Sequence, residues 1–182
     1  MFRIITLILV AAFSVGQARA DVRIEINSLS YELNGTTLAT IHEDIHRKGR
    51  QGSEIVDGEV SDRFSLALKL AKIGGLCRIK ADEVLLKLNI LLPNWVDEQH
   101  ADISVRAAWR TYFKKLKAHE DGHKAIAVAA AYQINQAIHM AEPRNTCSSM
   151  RMSLGNVAEK IIKAAEREQN QFDATQTPFD LK

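Results

Sequence analysis

Apolar and polar residues alternate in three stretches of this chain before the pattern lengthens. In the first, Arg23 and Glu25 separate Val22, Ile24 and Ile26, and the segment runs through Tyr31 and Leu33 to Asn34-Gly35. Successive strand side chains point to opposite faces, so a period of two closed by a turn dipeptide predicts a half-buried strand. Phe64, Leu66, Leu68 and Leu70 repeat the pattern, and Gly74-Gly75 turns the chain. Cys77 and Ile79 continue it, and Leu86, Leu88, Ile90 and Leu92 then oppose Lys87 and Asn89. An antiparallel sheet ending at Pro93 is expected. Between the first two strands, Thr36 or Thr37 caps a short helix with Leu38, Ile41 and Ile45 on one face, and Gly49 stops it.

Over residues 101–140 the period becomes helical, through Trp109, Phe113, Leu116, Glu120 and His123 and an alanine-rich stretch to Ile134 and Ile138. One break in this helix is allowed for. Pro143 and Asn145 interrupt it, residues 154–168 form a last amphipathic helix with Val157, Ile161 and Ala164, and residues 169–182 are polar without a period. The fold class is therefore α+β: an antiparallel β-sheet packed against a long helix, in one domain over residues 21–182.

Residues 1–20 carry an N-terminal arginine, an apolar core from residue 4 to 15 and Ala18-Arg19-Ala20, the layout of a secretory signal peptide cleaved after Ala20. A retained single-span anchor is the alternative. Cleavage removes Arg3 and Arg19 from the 24 basic residues and none of the 22 acidic ones, so the mature chain has no net charge. A polybasic surface for nucleic acid or anionic lipid is thereby excluded. The expected product is a periplasmic or secreted monomer with no stable membrane insertion. In an oxidising compartment Cys77 and Cys147 read as a disulfide, since neither has a cysteine or histidine at ligand spacing.

The chemistry lies in His119-Glu120-Asp121-Gly122-His123. Residues four apart on a helix share a face, so the two imidazoles can converge on one zinc while Glu120 serves as general base toward water. A second copy, His42-Glu43-Asp44-Ile45-His46, satisfies the same pattern on the short helix. The downstream copy is preferred, because Leu116, Ala127 and Ala130 share its face and bury it. Gly122 weakens a helix by about 1 kcal/mol relative to alanine, which suits a site that a chain segment or substrate approaches closely. The upstream pair reads as coincidence, as a second metal site, or as the donor of one histidine to the downstream zinc. His100 and His139 are weaker candidates; His139 becomes a ligand only if the long helix breaks.

The chain resembles a bacterial family of predicted secreted zinc-dependent proteases catalogued as a domain of unknown function, number 922. The likeness is carried by Tyr31 with Asn34-Gly35, Gly74-Gly75 and Cys77, Leu92-Pro93-Asn94-Trp95, and the run from Trp109 through Phe113 and Leu116 to His119-Glu120-Asp121-Gly122-His123. It implies a zincin-like fold, a Zn2+ cofactor held by His119 and His123, catalysis by Glu120 and a peptide or protein substrate. It also implies that His42 and His46 are a decoy. One element departs: Phe172-Asp173-Ala174-Thr175 begins like the family's C-terminal element but lacks its histidine. The third ligand is then sought in Asp173, the preferred candidate, or in Glu159, Glu166, His42 or His46. The competing expectation is an inactive envelope protein that binds zinc or peptides, and a purely structural helical module is a third.

Overall fold

Residues 21–51, 54–55, 57–175 and 181 are described by the computed structural model; the expected signal peptide at 1–20 lies outside them. The chain runs β1 (Asp21–Leu33), α1 (Leu38–Lys48), β2 (Arg50–Gln51), β3 (Glu54–Ile55), β4 (Glu59–Ile73), β5 (Leu76–Trp95), α2 (Ile103–His139) and α3 (Cys147–Thr175). A single turn of 3-10 helix, Glu98–His100, precedes α2. Among the described residues, no helix is long and apolar enough to cross a membrane.

The sheet is mixed, which corrects the antiparallel expectation. Its order is β1-β5-β4: β4 and β5 form the expected hairpin, but β1 pairs with β5 in parallel, from Asp21↔Glu83 to Leu33↔Trp95. Alternation reports which face a side chain takes and is blind to strand direction. A parallel partner needs a long crossover, which here consists of α1, the small β2–β3 hairpin and β4.

One further expectation gives way for a local reason. Pro93 does not end the sheet, because β5 continues to Trp95. The β4 ladder stops at Leu91, so Pro93 stands where one edge of β5 has no partner and a missing N–H costs little. The inward positions of β5 also change phase, from Cys77 and Ile79 to Val84, Leu86 and Leu88. A register shift opposite Lys69 and Leu70 inserts one residue into β5, which brings both sets onto the same face.

That face packs against Ala127, Ala131, Ile134 and Ile138 of α2 and Met150, Leu154 and Ala158 of α3. The alanines allow the helix to lie close to the sheet. Val84, Leu86 and Leu88 are essentially inaccessible, and burial of each contributes about 1.5–3 kcal/mol. α2 is unbroken over 37 residues, so the allowed break is absent and His139 ends far from His123. α3 begins at Cys147, with Thr146 Oγ1 accepting from the Ser149 N–H at 3.1 Å, and is bonded to Cys77 by the expected disulfide. It continues to Thr175, through residues whose sequence shows no helical period.

A second cluster fastens α1 to the end of the sheet. Ile41 and Ile45 pack with Leu33, Trp95, Trp109 and Leu116. Thr37 caps the helix in a reciprocal pair with Thr40. The Trp95 indole N–H donates to the Gly35 carbonyl at 2.8 Å. The buried Asp44 carboxylate accepts from the Asn34 N–H at 2.8 Å and pairs with Lys48 at 2.8 Å and with Arg47. Burial opposes its ionisation, yet the Lys48, Asn34 and Arg47 donors together hold it well below the ordinary carboxylate range.

Candidate metal centre

His119 and His123 stand one turn apart near the middle of α2, and each side chain is only 12% exposed. Leu116, Ala127 and Ala130 are buried on the same face, as the periodicity implies. The two Nε2 atoms are 2.9 Å apart, with the rings nearly perpendicular at 83°. The last turns of α3 supply the third group: Asp173 Oδ1 is 3.1 Å from His119 Nε2 and 2.8 Å from His123 Nε2. Among the described residues, His119, His123 and Asp173 are a cluster whose donor atoms can share an ion.

Three details show what this arrangement accommodates. His123 Nδ1 is bonded to Gln169 Oε1, and Gln169 Nε2 donates to Asp62 Oδ2 at 3.3 Å. An amide oxygen accepts, so Nδ1 carries a proton and Nε2 is the ring nitrogen left facing Asp173. A proton or a metal ion between these nitrogens and the carboxylate satisfies both. Second, tetrahedral zinc with bonds of about 2.0–2.1 Å sets its donors about 3.3 Å apart, so the three atoms need open by only a few tenths of an ångström. Third, Asp173 lies at the C-terminal end of α3, where no basic residue occupies the last turn and the helix dipole disfavours an anion. A cation held there reverses that penalty.

Glu120 is 4% exposed and lies beside Gly58, where a Cβ would stand 3.1 Å from Glu120 Oε1. Among the described residues its Oε2 has no hydrogen-bond partner. Burial pushes its carboxyl up to about 7; His123 opposes the shift, and Asp173, Glu59 and Asp57 add to it. Burial likewise lowers the His119 imidazole, with His123 adding and Asp173 opposing. Tyr31 and Tyr112 hold the wall of the site, their hydroxyls donating to the Asp57 carbonyl and carboxylate, each at 2.7 Å. These groups face an open cleft of about 750 Å³.

A family model described as a bacterial protein of unknown function, DUF922, matches residues 29–179. The chain belongs to this family. No curated protein and no solved structure matches it. The region shared with DUF922 spans both histidine pairs and Asp173.

The DUF922 chain brings together four residues singled out in its sequence, His119, Glu120, His123 and Asp173. Glu166 lines the cleft without joining the cluster, and Glu159 is exposed and paired with Lys163 at 2.6 Å. His42 and His46 open onto the same cleft from α1, whereas His100 and His139 do not line it. Gln169 and the role of Phe172 had no sequence signal, because a helix continuing through a polar tail leaves no apolar stripe, and Asp57 had none because it lies in the irregular turn before β4.

Phe172 also accounts for Gly122. Its ring stacks on His119, with centroids 5.0 Å apart and planes at 19°, and meets His123 edge-on at 5.1 Å. A Cβ at Gly122 would stand 2.8 Å from Phe172 Cε1 and closer still to Cζ. The close approach expected at this glycine is thus made by α3. Gly122→Ala should displace Phe172 and its neighbour Asp173 and weaken metal binding roughly 10–100-fold, the usual scale for supporting contacts. The same change favours α2 by up to about 1 kcal/mol, so the loss should appear in zinc titration without a lower melting temperature. Undiminished zinc affinity would show that Phe172 does not seat Asp173.

Proposed function

We propose that this chain is a zinc-dependent metallopeptidase of the bacterial envelope, with His119, His123 and Asp173 as metal ligands and Glu120 as general base. The observation that carries the reading is the convergence of three donor atoms beside a buried carboxylate, one of whose oxygens has no hydrogen-bond partner among the described residues, at the wall of an open cleft. A zinc ion bound by this donor set supplies Lewis-acid polarisation of a carbonyl and acidifies a water.

The protein's own residues do the rest. Gln169 fixes the His123 tautomer so that Nε2 faces the site, and Phe172 holds the His119 ring flat. Glu120 takes a proton from water on its carboxylate and passes it to the departing amine, a task suited to a carboxyl near neutrality. A cation on the histidines draws that carboxyl back toward its ionised form. The cleft admits an extended peptide past Gly58, where the lack of a side chain leaves Glu120 reachable. The disulfide supports an oxidising compartment.

Zinc per chain after dialysis tests the reading. Wild type should retain one equivalent at this centre, and both His123→Ala and Asp173→Ala should lose it. Asp173→Ala retaining zinc as wild type does would remove Asp173 from the ligand set, and His123→Ala doing so would remove the centre itself.

A further inference from the structure

We propose that His42 and His46 form a second divalent transition-metal site, separate from the first and opening into the same cleft. This goes beyond the peptidase reading and stands whether or not that reading holds.

The two residues are four apart on α1, and their Nε2 atoms are 3.1 Å apart. That separation falls within a few tenths of an ångström of the roughly 3.3 Å spanned by two ligands of a tetrahedral zinc. The ring centroids are 4.3 Å apart with planes at 53°, much as the 4.5 Å separation at His119 and His123. Among the described residues, each ring hydrogen-bonds only its partner ring. One Nε2 donates to the other across this contact, and both Nε2 lone pairs become available to a metal ion when the donor ring carries its proton on Nδ1 instead.

The pair is pre-oriented by what lies on the other side of α1. Ile41 and Ile45 are fully buried, and Asp44 beside them is tied to the Asn34 N–H and to Lys48. Arg47 and Lys48, the cations nearest the pair in sequence, are both drawn to Asp44 and away from the imidazoles. The helix is therefore anchored by one face while the other presents two imidazoles to the cleft. Both rings are exposed, which provides an entry path and leaves further coordination positions to water or to a ligand carboxylate. Imidazole donors select zinc, copper or nickel over calcium or magnesium. With two protein ligands against three, this site binds more weakly than the one at His119, His123 and Asp173.

Isothermal titration of the purified protein with zinc, repeated with nickel, tests the proposal. Wild type should take up a weaker equivalent that His42→Ala and His46→Ala each abolish and that His123→Ala retains. Because both side chains are exposed, the variants should keep the wild-type circular dichroism and melting temperature. His42→Gln, which retains size and polarity, should lose the same equivalent. Identical uptake by wild type and both alanine variants overturns the proposal. So does a single equivalent lost with either His46→Ala or His123→Ala, since that result means one shared ion. Loss of zinc with His46→Ala alone, and no effect of His123→Ala, leaves this site standing and overturns the peptidase reading instead.

Discussion

Glu120→Gln should bind zinc as tightly as wild type and hydrolyse peptides roughly 10²–10⁴-fold more slowly, the range that a general base contributes. Glutamine keeps the size of the side chain, so its place beside Gly58 at the wall of the cleft persists. Neither imidazole nor Asp173 depends on Glu120 for its position: Asp173 Oδ1, His119 Nε2 and His123 Nε2 meet without it. What is lost is, among the described residues, the one buried carboxylate beside the cluster able to accept a proton. The measurement is zinc content together with turnover of a fluorogenic peptide pool. Wild-type turnover by Glu120→Gln would refute the mechanism, whereas zinc in both proteins with turnover in neither would favour a binding protein on the same scaffold.

Replacing both half-cystines, Cys77→Ala with Cys147→Ala, should lower stability by about 4 kcal/mol on the chain-entropy estimate for so long a loop. The crosslink joins residues 70 apart in sequence, the start of β5 to the first residue of α3. Domains of this size have net stabilities of roughly 5–15 kcal/mol, so the loss is a large part of the whole. Backbone bonds between Cys77 and Arg144, at 2.6 and 3.1 Å, hold the same corner and should keep the variant folded in mild conditions. Asp173 lies 26 residues further along α3, about 39 Å at the helical rise, so zinc affinity of the folded variant should not change. Chemical denaturation with and without reductant, alongside zinc titration, separates the two effects. A drop in zinc affinity matching the drop in stability would mean that the corner and the metal centre unfold as one unit.

The three long strands, both main helices and the crosslink were legible in the chain because each is written in local periodicity or in a residue type with one role, whereas the short β2–β3 hairpin read only as a connection. The β4–β5 hairpin followed from two alternating runs around Gly74-Gly75, whose backbones have φ of 61° and 82°. The phase change between Ile79 and Val84 went unread, since only pairing to β4 reveals an inserted residue. The continuation of α3 to Thr175 was not legible at all. Its cleft-lining residues Glu166, Gln169, Asn170 and Asp173 have helical spacing, but they are polar and face a cavity, so no apolar stripe marks them.

Sequence alone determined the pair His119 and His123 with Glu120 between them, because helical spacing by itself puts the imidazoles on one face of α2. It also determined the cysteine pair and the family likeness. Only the tertiary structure decided that Asp173 meets both imidazoles, that Gly122 is a seat for Phe172, and that His42 and His46 share the same cleft. Those relations join residues 50 to 80 positions apart through helix packing. Such contacts arise from how faces dock, including the parallel placement of β1 that carries α1 across to the site, and no local pattern encodes them.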